Sequence, residues 1–439
     1  MRASHDLTRV AVTYDEPNLV SSAGLLAPAV LTQKLGLAEL IDTRLRLGAH
    51  GANSATKALS VIGSMLAGGD SIDDVALLEV GAARELFDQR RAPSTVGTWL
   101  RDFRWSNARE LDGVTRELLA RLWAAGAGPD DPAGPLTIDL DSSICRVHGR
   151  HKQGAGFGYT KVRGYHPQLA TCAQTGQVIF SRLRGGAAAA ARGAGSLLAE
   201  SVSRLRGAGA SGPLTVRADS AFYSRAVIAT ATRLDVRFSI TTRQDTRVRR
   251  AIATIDDAAW TPIPYWLSTP EVSGADVAEI PYTCFSGPDA VTARLIVRRV
   301  RPTPGTQLAL FATYSYHAMI TDRDGETLEL EADHRRHAVV EQSIAELKSA
   351  GLAHLPSGKF NANAAWLSLA VIAHNLTRAV GALAGTPRTT VASIRHRLIN
   401  IPGRLATHAR TRTLRLPQRW PWADHFALAL AAITALPDG

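Results

Sequence analysis

The sequence predicts an α/β protein with a mixed β-sheet, preceded by a helical region and followed by a basic, helical C-terminal region. Three observations lead to this prediction. Up to about residue 130, apolar residues recur at the three- and four-residue spacing of helices. A cluster of Gly, Pro and Asp at 128–135 then interrupts the chain. Beyond it, short apolar strands alternate with helical segments, as in an α/β layer.

The N-terminal region, residues 1–133, is predicted to be a helical domain that binds DNA. Its helical patterns cover 25–40, 55–67 and 111–124. A shorter helix begins near Ser94, a residue type that caps helix N-termini, and carries basic and aromatic side chains. This short helix is either a DNA-contacting helix or an ordinary amphipathic one, and the sequence leaves both interpretations open.

The first part of the α/β core is assigned to residues 134–243. Strands and helices alternate within it as three strands, a helix, a strand, a helix and a strand. In chain order, the predicted segments are 136–141, 168–173, 177–184, 195–205, 214–218, 223–234 and 236–241.

The second half of the chain is predicted to contain three further regions. Residues 244–310 lose the helical pattern and form a β-rich insertion. Residues 311–385 complete the core with a strand near 308–321 and helices at 331–351 and 364–384. Residues 386–439 form the basic C-terminal region.

The composition favours a polyanionic partner. The chain has 50 Lys+Arg against 39 Asp+Glu, so its formal net charge is +11, and nucleic acid ranks ahead of an acidic membrane surface. Three widely spaced cysteines argue against a disulfide framework or a thiolate zinc site. The apolar stretch 362–384 contains His374, Asn375 and Arg378, so we expect a buried helix and no membrane span. The unpaired cysteines fit a reducing cytoplasm, and we expect a cytoplasmic, nucleoid-associated protein.

Three carboxylates are candidates for catalysis. Asp141 and Asp219 each end an apolar strand, and sites in α/β sheets gather at the carboxyl ends of strands. Asp139 lies on the same strand face as Asp141 and is the alternative ligand. Glu341 lies on a predicted helix, with Lys348 about two turns further along the same face. Singly, each acid is more often a cap or a solvated surface residue.

These residue types suit attack on a phosphodiester. Two Mg²⁺ ions (or Mn²⁺) can serve the attacking and departing oxygens, and magnesium takes one or two carboxylates plus water and phosphate. Three carboxylates are therefore enough for two shared ions. A lysine at position 348 could neutralise a substrate phosphate as a point charge.

Two long stretches without any acidic residue support a DNA partner. They run from 142 to 199 and from 347 to 423, and a phosphate-binding surface requires such exclusion of negative charge. The alternative is that an arginine-rich composition produces such gaps by chance. Tyr165 could stack against an exposed base. The candidate DNA-binding cations in the two stretches are Lys161, Arg163, Arg184, Lys348, Arg410, Arg412 and Arg415.

Several motifs resemble insertion-sequence transposases that carry a DDE catalytic triad. The segment 138–143 resembles the first-aspartate strand of the thirteen-eighty insertion-sequence family, which is distantly similar to the piggyBac transposases. The segments 216–223 and 337–348 resemble its second-aspartate strand and its glutamate helix. The resemblance is good from about 90 to 385. Further matching segments are 164–167, 183–186, 355–357 and 373–376.

One departure from the family pattern concerns the glutamate helix. Related transposases place Tyr and Arg seven and four residues before the glutamate, whereas this chain has His334 and His337 there. A histidine pair could still contact phosphate, with a charge that varies near neutral pH.

The resemblance implies an RNase-H-like catalytic core and cut-and-paste DNA transposition. Asp141, Asp219 and Glu341 would be the metal-binding triad. Two copies, as a homodimer, would bind the inverted repeats of double-stranded transposon DNA, cleave there and join the freed 3′ ends to target DNA. Two other functions remain open: a DNA-binding repressor derived from a transposase, and a metal-dependent nuclease that does not join strands.

Overall fold

The computed structural model describes residues 6–87, 90–158, 160–264, 274–301, 314–352, 354–409 and 411–438. The N-terminal third of this part is helical, apart from the two-residue strand β1 (Leu19–Val20). The predicted helix at 25–40 is two helices, because Gly36 between them has a φ of +58°, a conformation that glycine adopts readily. The helices are α1 (Leu26–Lys34), α2 (Leu37–Arg44), α3 (Ser54–Ala67), α4 (Ala83–Leu86), α5 (Pro93–Arg101) and α6 (Trp105–Leu122).

A nine-stranded mixed sheet follows and confirms the predicted mixed α/β architecture. Four of the strands lie outside the region 134–243 and are described below. Two short strands, β3 (Cys145–Arg146) and β4 (Gly156–Phe157), pair with β5 (Arg163–Tyr165) in a small separate sheet. The large-sheet strands within 134–243 are β2 (Leu136–Ser142), β6 (Gln168–Cys172), β7 (Val178–Arg182), β8 (Leu214–Ala218) and β9 (Val236–Thr241).

The central strands of the large sheet are parallel. β2 pairs in parallel with β8, and β8 with β9, so their carboxyl ends meet at one edge. Helices α7 (Ala194–Gly207) and α8 (Arg225–Arg233) bury apolar side chains against these strands. This arrangement brings the residues that follow β2 and β8 to the same place.

The sheet continues through residues predicted to form a separate β-rich insertion. The order of its outer strands is β10, β11, β12, β13 and then β9. The expectation that helical structure is lost after residue 243 is wrong, because α9 (Thr246–Ile252) begins there with Asp245 as its cap. With seven residues, α9 is too short to give a clear period. The outer strands are β10 (Thr261–Pro262), β11 (Ala275–Cys284), β12 (Val291–Val300) and β13 (Ser315–Thr321).

Helices from the C-terminal part share one apolar core with the N-terminal helices. The longest, α12 (Phe360–Leu383), is buried over most of its length. Its Trp366 lies in the same buried cluster as Trp99 of α5 and Leu118 of α6. The remaining helices of this half are α10 (Thr327–Arg335), α11 (Ala338–Lys348), α13 (Val391–Ile394) and α14 (Ala423–Thr434).

The C-terminal region is not helical throughout, which corrects the prediction for it. Strands β14 (Gly403–His408) and β15 (Thr411–Arg415) form a hairpin that pairs with β1 near the N-terminus. Because β15 alternates threonine with arginine and leucine, it suits a strand better than a helix. Among the described helices, none is by itself long and apolar enough to cross a membrane, and one pair bent by 54°, Ala23–Lys34 with Leu37–Arg44, passes that test jointly.

Candidate active site

Three carboxylates lie at the edge where the parallel strands end. Asp141 is the penultimate residue of β2, and Asp219 directly follows β8. The register pairs Leu140 with Ala218, so the two aspartates are the next residues on adjacent strands. Helix α11 packs against β2 and carries Glu341 in its first turn. The chain therefore gathers the three predicted acids at one edge of the sheet.

The charges of these carboxylates act on one another. The pKa of Asp141 is raised to about 6, first by burial and then by the negative charges of Asp219 and Glu341. The backbone N–H of Ser142, which donates to Asp141 Oδ1 over 2.6 Å, and the nearby His337 act in the opposite direction. Such mutual repulsion is what a bound cation would relieve.

The carboxylates form an open group rather than a closed metal cage. Within the described residues, no three His, Cys, Asp or Glu side chains are placed to hold one ion. Asp219 and Glu341 both keep solvent contact. An open group of like-charged oxygens fits Mg²⁺ or Mn²⁺, since magnesium usually retains several waters and takes few protein ligands. It does not fit a structural zinc site, which is closed by four ligands.

Beneath this group lies a buried ion pair between Asp139 and Arg217. These residues are register partners on β2 and β8, and their side chains are 1% and 2% exposed. Arg217 Nε donates to Asp139 Oδ1 over 2.6 Å, and Nη2 donates to Oδ2 over 2.8 Å. Both oxygens of Asp139, the alternative metal ligand, thus have a cationic partner, whereas Asp141 faces other anions.

The same ion pair ties the glutamate helix to the sheet. Arg217 Nη1 donates to the backbone oxygen of Asp333 near the end of α10. His337, which directly precedes α11, lies 3.0 Å from Asp139 Oδ1 through its Nδ1. Sequence reasoning missed Arg217 and Asp333. The signal for Arg217 was an Arg-x-Asp strand parallel to an Asp-x-Asp strand, which places opposite charges side by side.

The two histidines before Glu341 occupy different environments. His334 is half-buried and bonded at both ring nitrogens, with Nδ1 2.8 Å from Ser239 Oγ and Nε2 2.9 Å from Thr241 Oγ1. Burial, followed by the positive charges of His337 and Arg217, lowers the pKa of His334 to about 3. A neutral imidazole has no charge to offer a phosphate. His337 is partly exposed and its described hydrogen bond is to Asp139.

Most of the predicted DNA contacts that the structure describes have exposed or half-buried side chains. The positive charge of Lys348 opposes the effect of burial, which raises the pKa of the Cys145 thiol to about 11, so Lys348 is close to β3. Lys161 is exposed. Arg163 is partly exposed and donates from Nη2 to the backbone oxygen of Arg150 over 2.7 Å. On the C-terminal hairpin, Arg412 and Arg415 are exposed, while Arg410 lies outside the described residues.

Two predicted DNA contacts are turned into the protein. The Tyr165 ring is buried and its hydroxyl donates to the backbone oxygen of Gln153 over 2.8 Å. Arg184 is 8% exposed and donates to the backbone oxygens of His166 and Ala189 over 3.0 and 2.7 Å. Burial lowers the pKa of Arg184 to about 10. These placements give Arg184 and Tyr165 a role in holding loops together and do not support their prediction as DNA contacts.

Comparisons with known proteins give one family match. A family model described as "Transposase DDE domain group 1" matches residues 3–438. Among solved structures, the chain is similar to a piggyBac transposase synaptic complex with hairpin DNA, with 13% sequence identity and a TM-score of 0.41. That similarity covers 86% of this chain and 79% of the other. No curated protein matches the chain.

Proposed function

The chain belongs to the transposase family of DDE domain group 1, and we propose that it cleaves DNA at transposon ends and transfers the freed strands into target DNA. The observation that carries this proposal is the meeting of Asp141, Asp219 and Glu341 at the edge where β2 and β8 end. Two of these acids come from parallel strands and the third from a helix packed on β2. Family membership and an open carboxylate group support the same chemistry.

The three carboxylates would hold divalent cations, and their open arrangement fits Mg²⁺ or Mn²⁺, of which we propose two. When bound, such ions would supply an activated oxygen nucleophile and stabilise the departing 3′ oxygen. Asp141 serves as the first-aspartate ligand in this proposal, because both oxygens of Asp139 are engaged by Arg217. Arg217 and His337 keep the two strands and the start of α11 in register through Asp139.

The protein's own cations would orient the DNA. Lys348, two turns from Glu341 and close to β3, would neutralise a phosphate beside the carboxylates. The exposed Lys161 on the loop before β5, and Arg412 and Arg415 on β15, would add backbone contacts further away. Because transposon ends are inverted repeats, we propose that two copies act as a homodimer on double-stranded DNA.

Finer details of the classification are also part of this proposal. The motifs around the three acids favour the thirteen-eighty insertion-sequence family and an RNase-H-like core. Residues 1–133 would bind DNA, and residues 134–243 and 311–385 would build the catalytic core around the segment 244–310. The basic region 386–439 would contact DNA, and the protein would act at the nucleoid.

A cleavage and joining assay tests the proposal. Purified protein is incubated with a labelled duplex that carries the element's inverted repeat, a target plasmid and Mg²⁺. We expect cleavage at the repeat and joined products, both abolished in Asp219→Asn, which should still bind the duplex. Binding without cleavage by the wild type would favour the repressor, and cleavage without joining would favour the nuclease. Wild-type cleavage by Asp219→Asn would remove Asp219 from the site.

A further inference from the structure

An open cavity of about 580 Å³ lies away from the carboxylates, in the helical N-terminal part. Its walls come from the segment after α2, from the connection between α5 and α6, and from the residue before α12. Four basic side chains line it, namely Arg46, Arg101, Arg104 and Lys359. All four side chains are exposed. Among the described residues, none of the four forms an ion pair with a carboxylate at up to 4.0 Å.

One carboxylate lines the cavity, and it already has a histidine partner. Asp102 forms an ion pair with His50, which lies on the same wall. The hydrogen bond from His50, its charge and the charge of Lys359 lower the pKa of Asp102, against the opposing effect of its slight burial. Beside the cavity, Glu110 accepts hydrogen bonds from the backbone N–H of Arg46 and from Asn107 over 2.8 and 3.0 Å. Four cations therefore face solvent with little compensation, and their mutual repulsion favours an anionic ligand.

The cavity walls hold one another in place. Lys359 Nζ donates to the backbone oxygen of Arg101 over 2.8 Å, which joins the start of α12 to the end of α5. Asn107 Nδ2 donates to the backbone oxygen of Arg46 over 2.9 Å, which joins α6 to the segment after α2. The three separated segments that carry the cations are thus joined around one space, which reduces the backbone entropy lost when a ligand binds.

The cavity connects with the loop that leaves the candidate active site. That loop follows β3, and its Gln153 N–H donates to the backbone oxygen of Gly358, next to Lys359, over 2.9 Å. Lys152 Nζ donates to the backbone oxygen of Ser357 over 3.3 Å. Arg146, the last residue of β3, and Arg150 on the loop are both exposed. The loop that leaves the candidate active site therefore contacts the chain beside Lys359, and exposed cations lie both on that loop and around the cavity. Cations on both segments suit a long polyanion better than a small anion.

We propose that this cavity seats backbone phosphates of the same DNA duplex that the carboxylates cleave, on the side away from the scissile bond. The inference rests on the proposed function, because it assigns the cavity to that duplex. Arg46 and Arg104 contact phosphate directly, and Lys359 joins α12 to the end of α5 beside them. Asp102 opposes binding through its negative charge, and His50 moderates that effect.

Salt-dependent binding of the full-length protein to a short duplex of mixed sequence tests this inference. Each phosphate that the protein neutralises releases counterions and contributes about 0.9 to the steepness of the plot of log affinity against log salt concentration. We expect Arg46→Gln and Arg104→Gln each to flatten the slope by about that amount and to weaken binding about tenfold. Asp102→Asn should tighten binding instead. Arg233→Gln is the matched control, since Arg233 is exposed near the opposite edge of the sheet, just before β9 begins.

The outcomes separate this inference from the proposed function. If the wild type binds with a steep salt dependence and Arg46→Gln and Arg104→Gln match Arg233→Gln, the cavity is not a phosphate site and the proposed function stands. If the wild type does not bind the duplex at all, both fail. Circular dichroism and thermal unfolding of each variant establish that it is folded. Tighter binding by Asp102→Asn cannot come from misfolding, so it keeps the inference testable even if an arginine variant is unstable.

Discussion

Asp139 and Asp141 lie on one face of β2, two residues apart, and their surroundings are opposite. Asp139 is fully buried and receives two hydrogen bonds from Arg217 and one contact from His337. Asp141 is partly exposed and faces the negative charges of Asp219 and Glu341. The strand gives both residues the same direction, and the charge of their neighbours gives them different roles.

The difference also has an energetic reason. A carboxylate buried without a partner is so costly that it must be paired or protonated, and a bidentate guanidinium is the strongest partner that proteins offer. By pairing Asp139, Arg217 fixes the spacing of β2 and β8. Both of its hydrogen bonds to a carboxylate go to Asp139 and none to Asp141 in the described part of the chain. In the proposed function, the buried Asp139–Arg217 pair (the inner layer) is structural, and Asp141, Asp219 and Glu341 (the outer layer) bind the metal ions.

The largest expected effect is on cleavage by Asp141→Asn. In the proposed function Asp141 is a metal ligand, so losing its charge should remove roughly 4 kcal/mol of transition-state stabilisation and lower cleavage by about 10³-fold. The metal-free protein should unfold at equal or higher denaturant concentration, because one of three repelling charges is gone. The control is Asp235→Asn, an exposed carboxylate at the opposite sheet edge whose φ of +52° suits Asn equally well. Normal cleavage by Asp141→Asn would show that Asp141 is not needed for cleavage and would remove the proposed difference in role between Asp139 and Asp141.

Breaking the inner pair should act on stability instead. Arg217→Gln leaves Asp139 buried without its guanidinium, so we expect the free energy of unfolding to fall by about 3 kcal/mol in chemical denaturation. Replacing both partners, as in Asp139→Leu with Arg217→Met, should recover much of that loss because no buried charge is left alone. A double variant as unstable as the sum of the two single ones would show that Asp139 and Arg217 are not energetically coupled.

Much of the sheet is readable from local sequence. The predicted strands 214–218 and 236–241 coincide with β8 and β9, and 136–141 differs from β2 by one residue. Each is a short apolar run bounded by polar or turn residues, so its limits are set locally. The glutamate helix is different. The predicted 331–351 is two helices that break at Arg336 and His337, where Arg217 and Asp139 hold the chain.

The partners of the site residues could not be read locally. Asp139 and Arg217 are 78 positions apart, and only the parallel pairing of their strands brings them together. Sequence reasoning therefore left Asp139 and Asp141 as alternatives. It also placed Arg184 and Tyr165 among DNA contacts, because a charge or a ring in an acid-free stretch does not reveal whether backbone oxygens inside the fold take its hydrogen bonds.

His334, close to the inner layer, should make the protein sensitive to acid. In the unfolded chain a histidine binds a proton below about pH 6.5, whereas burial keeps His334 neutral in the folded protein down to a pKa of about 3. The unfolded state thus binds more protons between these values, and stability falls as pH decreases. At pH 5 the loss should be about 2 kcal/mol relative to pH 7.

The variant His334→Gln, which can still bond to Ser239 and Thr241, tests that linkage. Its stability should change less between pH 7 and pH 5 than that of the wild type, by about 2 kcal/mol in denaturant titrations. His425→Gln is a suitable control, because that histidine lies on α14, far along the chain from the site. Equal acid sensitivity in the wild type and His334→Gln would mean that other groups carry the pH dependence.

The smallest effect is expected for His337, which connects the two layers by contacting Asp139 and acting electrostatically on Asp141. Because Asp139 keeps both hydrogen bonds from Arg217, His337→Ala should cost only about 1 kcal/mol of folding stability. It should also loosen the start of α11, so the Mg²⁺ concentration for half-maximal cleavage should rise while the rate at saturating Mg²⁺ stays within a few-fold. His337→Asn, which can still donate to Asp139, should restore most of the metal affinity. If the saturating rate instead falls as far as in Asp141→Asn, His337 belongs with the outer layer as a catalytic residue.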